Sequence, residues 1–184
     1  MSPLFILTGP SGAGKSTILK RLIKEPPVAF ERFVTTTTRQ PRLGETNGRD
    51  YWFVTREIFE KEIASDNFFE WAEVYDELYG ANKNEFYRLQ AQGKPIIIML
   101  DVQGARAMKK FWPHARAIFI DAPRSDLAQR MSDRKISEAE IARRMEKLGM
   151  EESFRAEADV VILNKNGELE ATVERVGQEI LSRV

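Results

Sequence analysis

The chain has 184 residues, 28 basic and 28 acidic side chains, a single His and no Cys. That length suits one domain with its own core and falls short of two, and the zero formal net charge gives no long-range attraction to nucleic acid or to an anionic membrane. Without Cys there are no disulfides, no thiol chemistry and no cysteine zinc sites, and His114 alone cannot build a histidine metal cluster.

The first apolar run, Leu4 to Leu7, is too short for a secretory signal and lacks a basic flank, and no stretch is long enough to span a bilayer. A cytoplasmic location is the expectation. The run reads as a buried strand leading into Gly9-Pro10-Ser11-Gly12-Ala13-Gly14-Lys15-Ser16-Thr17, the GxxxxGK[ST] pattern, and then a helix from Lys15 to Ile23. Gly9, Gly12 and Gly14 allow successive backbone N–H groups to converge on phosphate oxygens, and the helix N-terminus adds its positive end. Lys15 can then reach the β- and γ-phosphates, and the Ser16 hydroxyl is placed to ligate Mg²⁺. The stretch implies binding of a nucleoside triphosphate.

Glu25-Pro26-Pro27 ends the first helix. Phe33 to Thr38 reads as one β-branched strand, Arg39 to Arg49 as a polar loop, and Asp50 to Thr55 as a second alternating strand. Thr55 is an N-cap candidate for a short helix carrying Ile58, Phe59, Glu62 and Ile63. Phe68 to Val74 and Leu78 to Ala81 read as two more strands, so the middle of the chain is a β-rich insertion. Asn84 to Gln92 suits a helix stopped by Gly93, and Pro95 to Leu100 a strand covered on both faces that ends at Asp101. A helix from Gln103 to Phe111 and a strand from Ala115 to Ile120 restore the βαβ rhythm of a parallel sheet. The charge-dense segment from Arg124 to Glu157 contains a capping box, Ser137-Glu138-Ala139-Glu140, that starts a helix with Ile141, Met145 and Leu148 inward. Val160 to Leu163 is a further strand, and Glu168 to Arg183 a closing helix with Leu169, Val173, Val176 and Ile180 on its inner stripe.

A phosphate loop alone does not separate an ATPase from a kinase. The discriminating stretch is Thr35 to Glu45 with Gly48-Arg49-Asp50-Tyr51. Arg39 and Arg42 flank Pro41, and two guanidinium forks held this way suit a phosphate monoester, with Tyr51 and Tyr79 as further phenolic donors.

With these residues in view the chain resembles the guanylate kinases, P-loop enzymes that phosphorylate GMP with ATP. GPSGAGKST, TTTRQPRLGETNGRDYWFV, FFEWAEVYDELYG, LDVQGA and VVILN appear in the family's order, and the similarity covers essentially the whole chain. The resemblance implies an α/β P-loop fold in three parts. These are a parallel-sheet core (1–34, 82–123 and 147–184), a β-rich GMP-binding lobe (35–81) and a helical lid (124–146). It implies that Arg39, Arg42, Tyr51 and Tyr79 hold the GMP phosphate, that Glu70 reads guanine, and that Thr35 and Asp101 are other base-contacting positions. A fixed carboxylate can accept both the N1–H and N2–H donors of guanine and would meet the N1 lone pair of adenine with repulsion. Arg130, Arg134 and Arg144 match the lid; the first two are one helical turn apart, and Arg143 competes with Arg144 for the phosphates. Asn164 matches an adenine-contact position, with a helix or turn cap as the alternative.

Lys15, Arg39, Arg134 and Arg144 are therefore the expected catalytic residues. The expected ATP site is Gly9, Ser11, Gly12, Ala13, Gly14, Lys15, Ser16, Thr17, Arg130 and Asn164, with Mg²⁺ held by Ser16 directly and by Asp101 through water. Transfer from Mg·ATP to GMP, and also to deoxy-GMP, gives ADP and the diphosphate in purine metabolism, with no nucleic acid, membrane or obligate protein partner. Two positions depart from the common family pattern. Met99 stands where many members carry an acid, and Ala81 where a hydroxyl is usual, with Asn82 as a possible replacement donor. A non-catalytic module that docks phosphorylated peptides and a kinase for another phosphorylated small molecule are the competing classes; the intact phosphate loop argues against the first, and Glu70 and Thr35 with the full arginine run against the second.

Overall fold

The computed structural model describes residues 2–74, 76–133 and 137–184, the side chains of 74, 140, 147, 150 and 151 excepted. Its centre is β1 (Leu4–Thr8), buried at every position. Leu4 and Ile6 enter one apolar cluster while Phe5 and Leu7 enter another, as the two-residue period of a strand covered on both faces requires. Around it lies a five-stranded parallel sheet in the order β2-β7-β1-β8-β9, where β2 is Glu31–Phe33, β7 Ile96–Met99, β8 Arg116–Asp121 and β9 Val160–Leu163. On one face pack α3 (Lys83–Gln90) and α4 (Val102–Phe111) through Phe86, Leu89, Val102, Ala105 and Met108. On the other pack α1 (Lys15–Lys24) and α7 (Leu169–Leu181), the latter burying Val176 and Ile180 on the expected stripe.

A second, four-stranded sheet forms the inserted lobe, in the order β4-β3-β6-β5: Trp52–Phe53, Thr36–Thr37, Glu77–Asn82 and Phe68–Val74. With α2 (Arg56–Ala64), which the Thr55 hydroxyl caps at the Ile58 amide, it encloses its own small core of Phe59, Phe68 and Leu78. The single strand expected from Phe33 to Thr38 is in fact two. β2 pairs with β7 of the central sheet and β3 with β4 and β6 of the lobe, so the chain changes sheets at Val34 and Thr35. β-branched composition signals extended backbone and says nothing about which sheet edge it joins. The expected strand from Asp50 to Thr55 shrinks to Trp52–Phe53, an edge pair running parallel to β3.

The charge-dense segment forms α5 (Arg124–Asp133) and α6 (Glu138–Ser153). The Ser137 carbonyl accepts the Ile141 amide at 2.9 Å, so α6 starts where the capping box placed it. It runs to Ser153, beyond the expected lid limit at Glu146. Leu127, Met131 and Leu148 join the core cluster on the α1 face, so both helices pack onto the core. Among the described residues no helix is long and apolar enough to cross a membrane.

Candidate active site

The turn between β1 and α1 is shaped by contacts that exclude side chains. Gly9 has φ +131°, and a Cβ there would overlap the carbonyl oxygen of Ile120 on β8. Gly14, at φ +97°, precedes α1 and offers no side-chain cap, which leaves the first amides of the helix as donors toward the loop. The Lys15 ammonium turns back onto the loop, donating to the Pro10 carbonyl at 2.9 Å and to the Gly9 carbonyl. Ser16 and Thr17 are exposed at the start of α1.

Behind the loop stand two braces. Asn164, buried after β9, donates its side-chain amide to the Ala13 carbonyl at 2.7 Å and accepts the Thr172 hydroxyl at 3.2 Å. Arg130 on α5 donates to the carbonyls of Gly12 (3.4 Å) and Asn164 (2.9 Å) and to the Asn166 side chain (2.8 Å). With Gly14 and Thr17 both line a cavity of about 360 Å³, on the side expected for ATP. Their polar groups are engaged with the protein, so the structure gives them a bracing role that local sequence did not announce. From α6, Arg144 donates to the Ser11 hydroxyl at 3.1 Å, whereas Arg143 is exposed. Arg134 lies outside the described residues.

Across from the loop, Thr35, Tyr51, Glu70, Tyr79 and Asp101 line one cavity of about 210 Å³ between the lobe and the C-terminal end of β7. Ligands in open α/β sheets collect at this end. Ser16, Arg39, Arg42 and Tyr51 line a second cavity of about 480 Å³, and Tyr51 and Met99 belong to both walls. The residues expected on GMP thus converge on two joined spaces, the arginine-lined one reaching Ser16. The Arg39 guanidinium lies 5.4 Å over the Tyr51 ring centroid, and the Tyr51 and Tyr79 rings meet edge to face at 6.1 Å. Burial, and after it Tyr79, raises the Tyr51 phenol above its ordinary value, which keeps it a hydrogen-bond donor.

Glu70 reaches its cavity from β5 just after a register shift between Phe68 and Glu70. The extra residue lets Phe69 enter the core beside Phe86 while Glu70 and Ala72 face the cavity. Burial, and secondly the charge of Asp101, push the Glu70 carboxyl up to about 7. Asp101 itself caps α4, its Oδ1 accepting the Gly104 amide at 2.8 Å. Ala81 is fully buried in the core, and Asn82 does not take the place of a hydroxyl there: it caps α3 at the Asn84 amide and donates to Glu62.

The donor set near the loop suits a hard cation carried by phosphates. Among the described residues no three acids or histidines cluster, and Ser16 offers a single hydroxyl oxygen, leaving the remaining positions to phosphate and water. That hydroxyl donates to the Met99 thioether at 3.6 Å. Sequence reasoning passed over Glu45, which binds Arg39, and over Arg32 and Lys20 in the wall of the arginine cavity. The spacing of Glu45, three residues after Arg42 within a turn, was the available signal for the first; the other two depend on tertiary packing.

A phosphate loop on a parallel sheet, facing a separate lobe with an arginine-lined cavity and a carboxylate-lined one, defines a P-loop phosphotransferase with a small phosphorylated acceptor. A guanylate kinase family profile matches residues 1–183. The chain is 41% identical over 163 residues to the guanylate kinase of Shewanella violacea, covering 88% of this chain and 79% of that one. It is 42% identical over 164 residues to the guanylate kinase of Sus scrofa, covering 86% and 83%. The crystal structure of guanylate kinase from Anaplasma phagocytophilum superposes with a TM-score of 0.74 at 27% identity, covering 99% of this chain and 86% of that one. The chain belongs to the guanylate kinase family.

Proposed function

We propose that this chain transfers the γ-phosphoryl group of Mg·ATP to GMP, and to deoxy-GMP, with the two joined cavities as the acceptor site and the loop 9–17 as the donor site. Family membership makes it an ATP:GMP phosphotransferase. The observation that carries the assignment of residues is the placement of Glu70. It is a carboxylate to which no described residue donates a hydrogen bond, set in a cavity beside that of Arg39 and Arg42. Ionised, it accepts both donors of the guanine edge, and Thr35 and Asp101 complete the wall around the base.

Arg39, Arg42, Tyr51 and Tyr79 hold the acceptor phosphate, whose oxygen is already ionised and needs no side-chain nucleophile. Lys15 leaves the Gly9 and Pro10 carbonyls for the β- and γ-phosphates, and Arg144, with Arg134, brings positive charge from the lid to the equatorial oxygens. Gly9 to Thr17 cradle the ATP phosphates, while Arg130 and Asn164 wall the donor cavity. Mg²⁺, held by Ser16 and through water by Asp101, supplies charge neutralisation between the phosphates when bound. The division into core, lobe (35–81) and lid (124–146) follows the same assignment, and the cytoplasm, where both nucleotides are at hand, is the compartment it implies.

The test is ADP formation from ATP and Mg²⁺ with GMP, deoxy-GMP, AMP, CMP and UMP offered separately and Lys15→Ala as the blank. Turnover with the two guanine nucleotides alone is expected. Turnover with AMP at the GMP rate would remove Glu70 from base reading, and none with any nucleotide would direct attention to another phosphorylated acceptor.

A further inference from the structure

Near the start of α4 stands a residue that its helix does not ask for. Gly104 is the third residue of α4 and buried, and it has none of the positive-φ geometry that would favour glycine. Alanine is the better helix former at such a position. The Gly104 amide donates to Asp101 Oδ1, but any residue's amide would do so.

What the missing side chain supplies is space for Glu70. A Cβ at position 104 would lie 2.8 Å from Glu70 Oε1 and 3.3 Å from its carboxyl carbon, well inside ordinary carbon–oxygen contact. The nearest atom is the far end of a flexible side chain, so the carboxylate moves first, while Leu100 Cβ, 3.3 Å away, gives by a few tenths of an ångström at most. With no hydrogen bond from a described residue to hold it, Glu70 is positioned by this packing and by the bulge that precedes it.

We infer that Gly104 is a positioning residue for base recognition: the gap it leaves seats the Glu70 carboxylate against the first turn of α4 and fixes the edge that faces the purine. The inference rests on the assignment of Glu70 to guanine reading. Two hydrogen bonds to one purine edge tolerate only a few tenths of an ångström in each length, so displacement of one oxygen weakens both.

The test is Gly104→Ala, read as GMP affinity by calorimetry, KM for each substrate, and the ratio of kcat/KM for GMP to that for AMP. The expected result is at least a tenfold weaker GMP affinity and a lowered GMP-to-AMP ratio, with the KM for ATP within twofold and the melting temperature not lowered. Glu70→Asp in the Gly104→Ala background draws the carboxyl back by one methylene and recovers GMP affinity relative to Gly104→Ala alone. A GMP affinity and base ratio within twofold of the parent would overturn the inference, as would equal losses for GMP and ATP, or a double variant weakened by the product of its two single losses. Glu70→Gln, measured alongside, separates the two layers. If it leaves the base ratio unchanged, the assignment of Glu70 fails. If it lowers the ratio while Gly104→Ala does not, only the seat fails.

Discussion

Glu45 holds Arg39 with both carboxylate oxygens, each 3.0 Å from Nη2, and the same carboxylate accepts the Arg42 backbone N–H at 2.8 Å. One acid therefore orders both arginines of this loop, the first through its guanidinium and the second through its backbone. The Arg39 and Glu45 side chains are only 14% and 22% exposed, so the pair is shielded well beyond an ordinary surface ion pair. Pre-setting a guanidinium lowers what its ordering costs when a phosphate arrives.

Glu45→Gln keeps the shape and removes the charge. The KM for GMP should rise about tenfold, equivalent to about 1.4 kcal/mol, with the KM for ATP unchanged. Steady-state kinetics with each nucleotide varied in turn checks this. Equal rises for both substrates would mean that the loop 39–51 serves the whole molecule and not the acceptor alone.

Glu70 predicts a pH dependence with a definite sign. In the free protein its carboxyl titrates at about 7, raised first by burial and then by Asp101, and only the ionised form can accept two guanine donors. GMP affinity should therefore level off above pH 7 and weaken by about tenfold for each pH unit below it. Stability moves the opposite way. The folded carboxyl titrates above its unfolded value of about 4.5, so its contribution is full below pH 4.5 and is lost as pH rises through 7, by on the order of 3 kcal/mol. Glu70→Gln should flatten the binding profile and melt higher than the parent at pH 8. Calorimetric GMP titrations and thermal melts from pH 5.5 to 8.5 decide both; a parent binding profile flat across this range would place the carboxyl outside the recognition edge.

What the sequence disclosed and what it hid divide along a physical line. The phosphate loop was legible because its requirements are local: glycines, a lysine and a hydroxyl at fixed spacing between a strand and a helix. The Asp101 cap of α4 is equally local, a short carboxylate directly before the helix. The orientation of Glu70 was not legible locally, because it depends on a bulge in β5 and on a gap in α4 more than thirty residues away. The split at Val34 and Thr35 was invisible for a related reason: two strands in one extended run differ only in their partners, and partners are set by the whole fold. Asn164 and Arg130 reach Ala13 and Gly12 across more than a hundred positions, which no local pattern encodes.

Lys15 is expected to act on the donor side. Its ammonium rests on the Gly9 and Pro10 carbonyls, away from the cavities that Arg39, Arg42 and Glu70 line. Lys15→Ala should lower kcat by about 10²-fold or more, the scale of a lost preorganised electrostatic contact, while GMP affinity stays within about twofold. Rapid-quench measurement of ADP formation together with equilibrium binding of GMP separates the two effects. A parallel loss of GMP affinity would merge the donor and acceptor sites into one.

Met99 makes the last prediction, because it touches the Ser16 hydroxyl, the proposed metal ligand, and lines both cavities at once. The Ser16 hydroxyl donates to its sulfur at 3.6 Å, and a thioether is a weak acceptor with little affinity for a hard cation. A carboxylate at this position would face Ser16 from the end of β7 and could order water on a divalent ion held there. Met99→Asp should therefore lower the Mg²⁺ concentration needed for half-maximal turnover several-fold at fixed ATP. The same change removes an apolar side chain packed against the α1 side of the core, at a cost of about 1–3 kcal/mol in stability. Met99→Leu keeps the packing without the sulfur and should leave the Mg²⁺ dependence near the parent's. Mg²⁺ titrations of all three proteins, paired with thermal melts, test the two effects separately. A Met99→Asp protein that melts lower but shows the parent's Mg²⁺ curve would confine Met99 to packing.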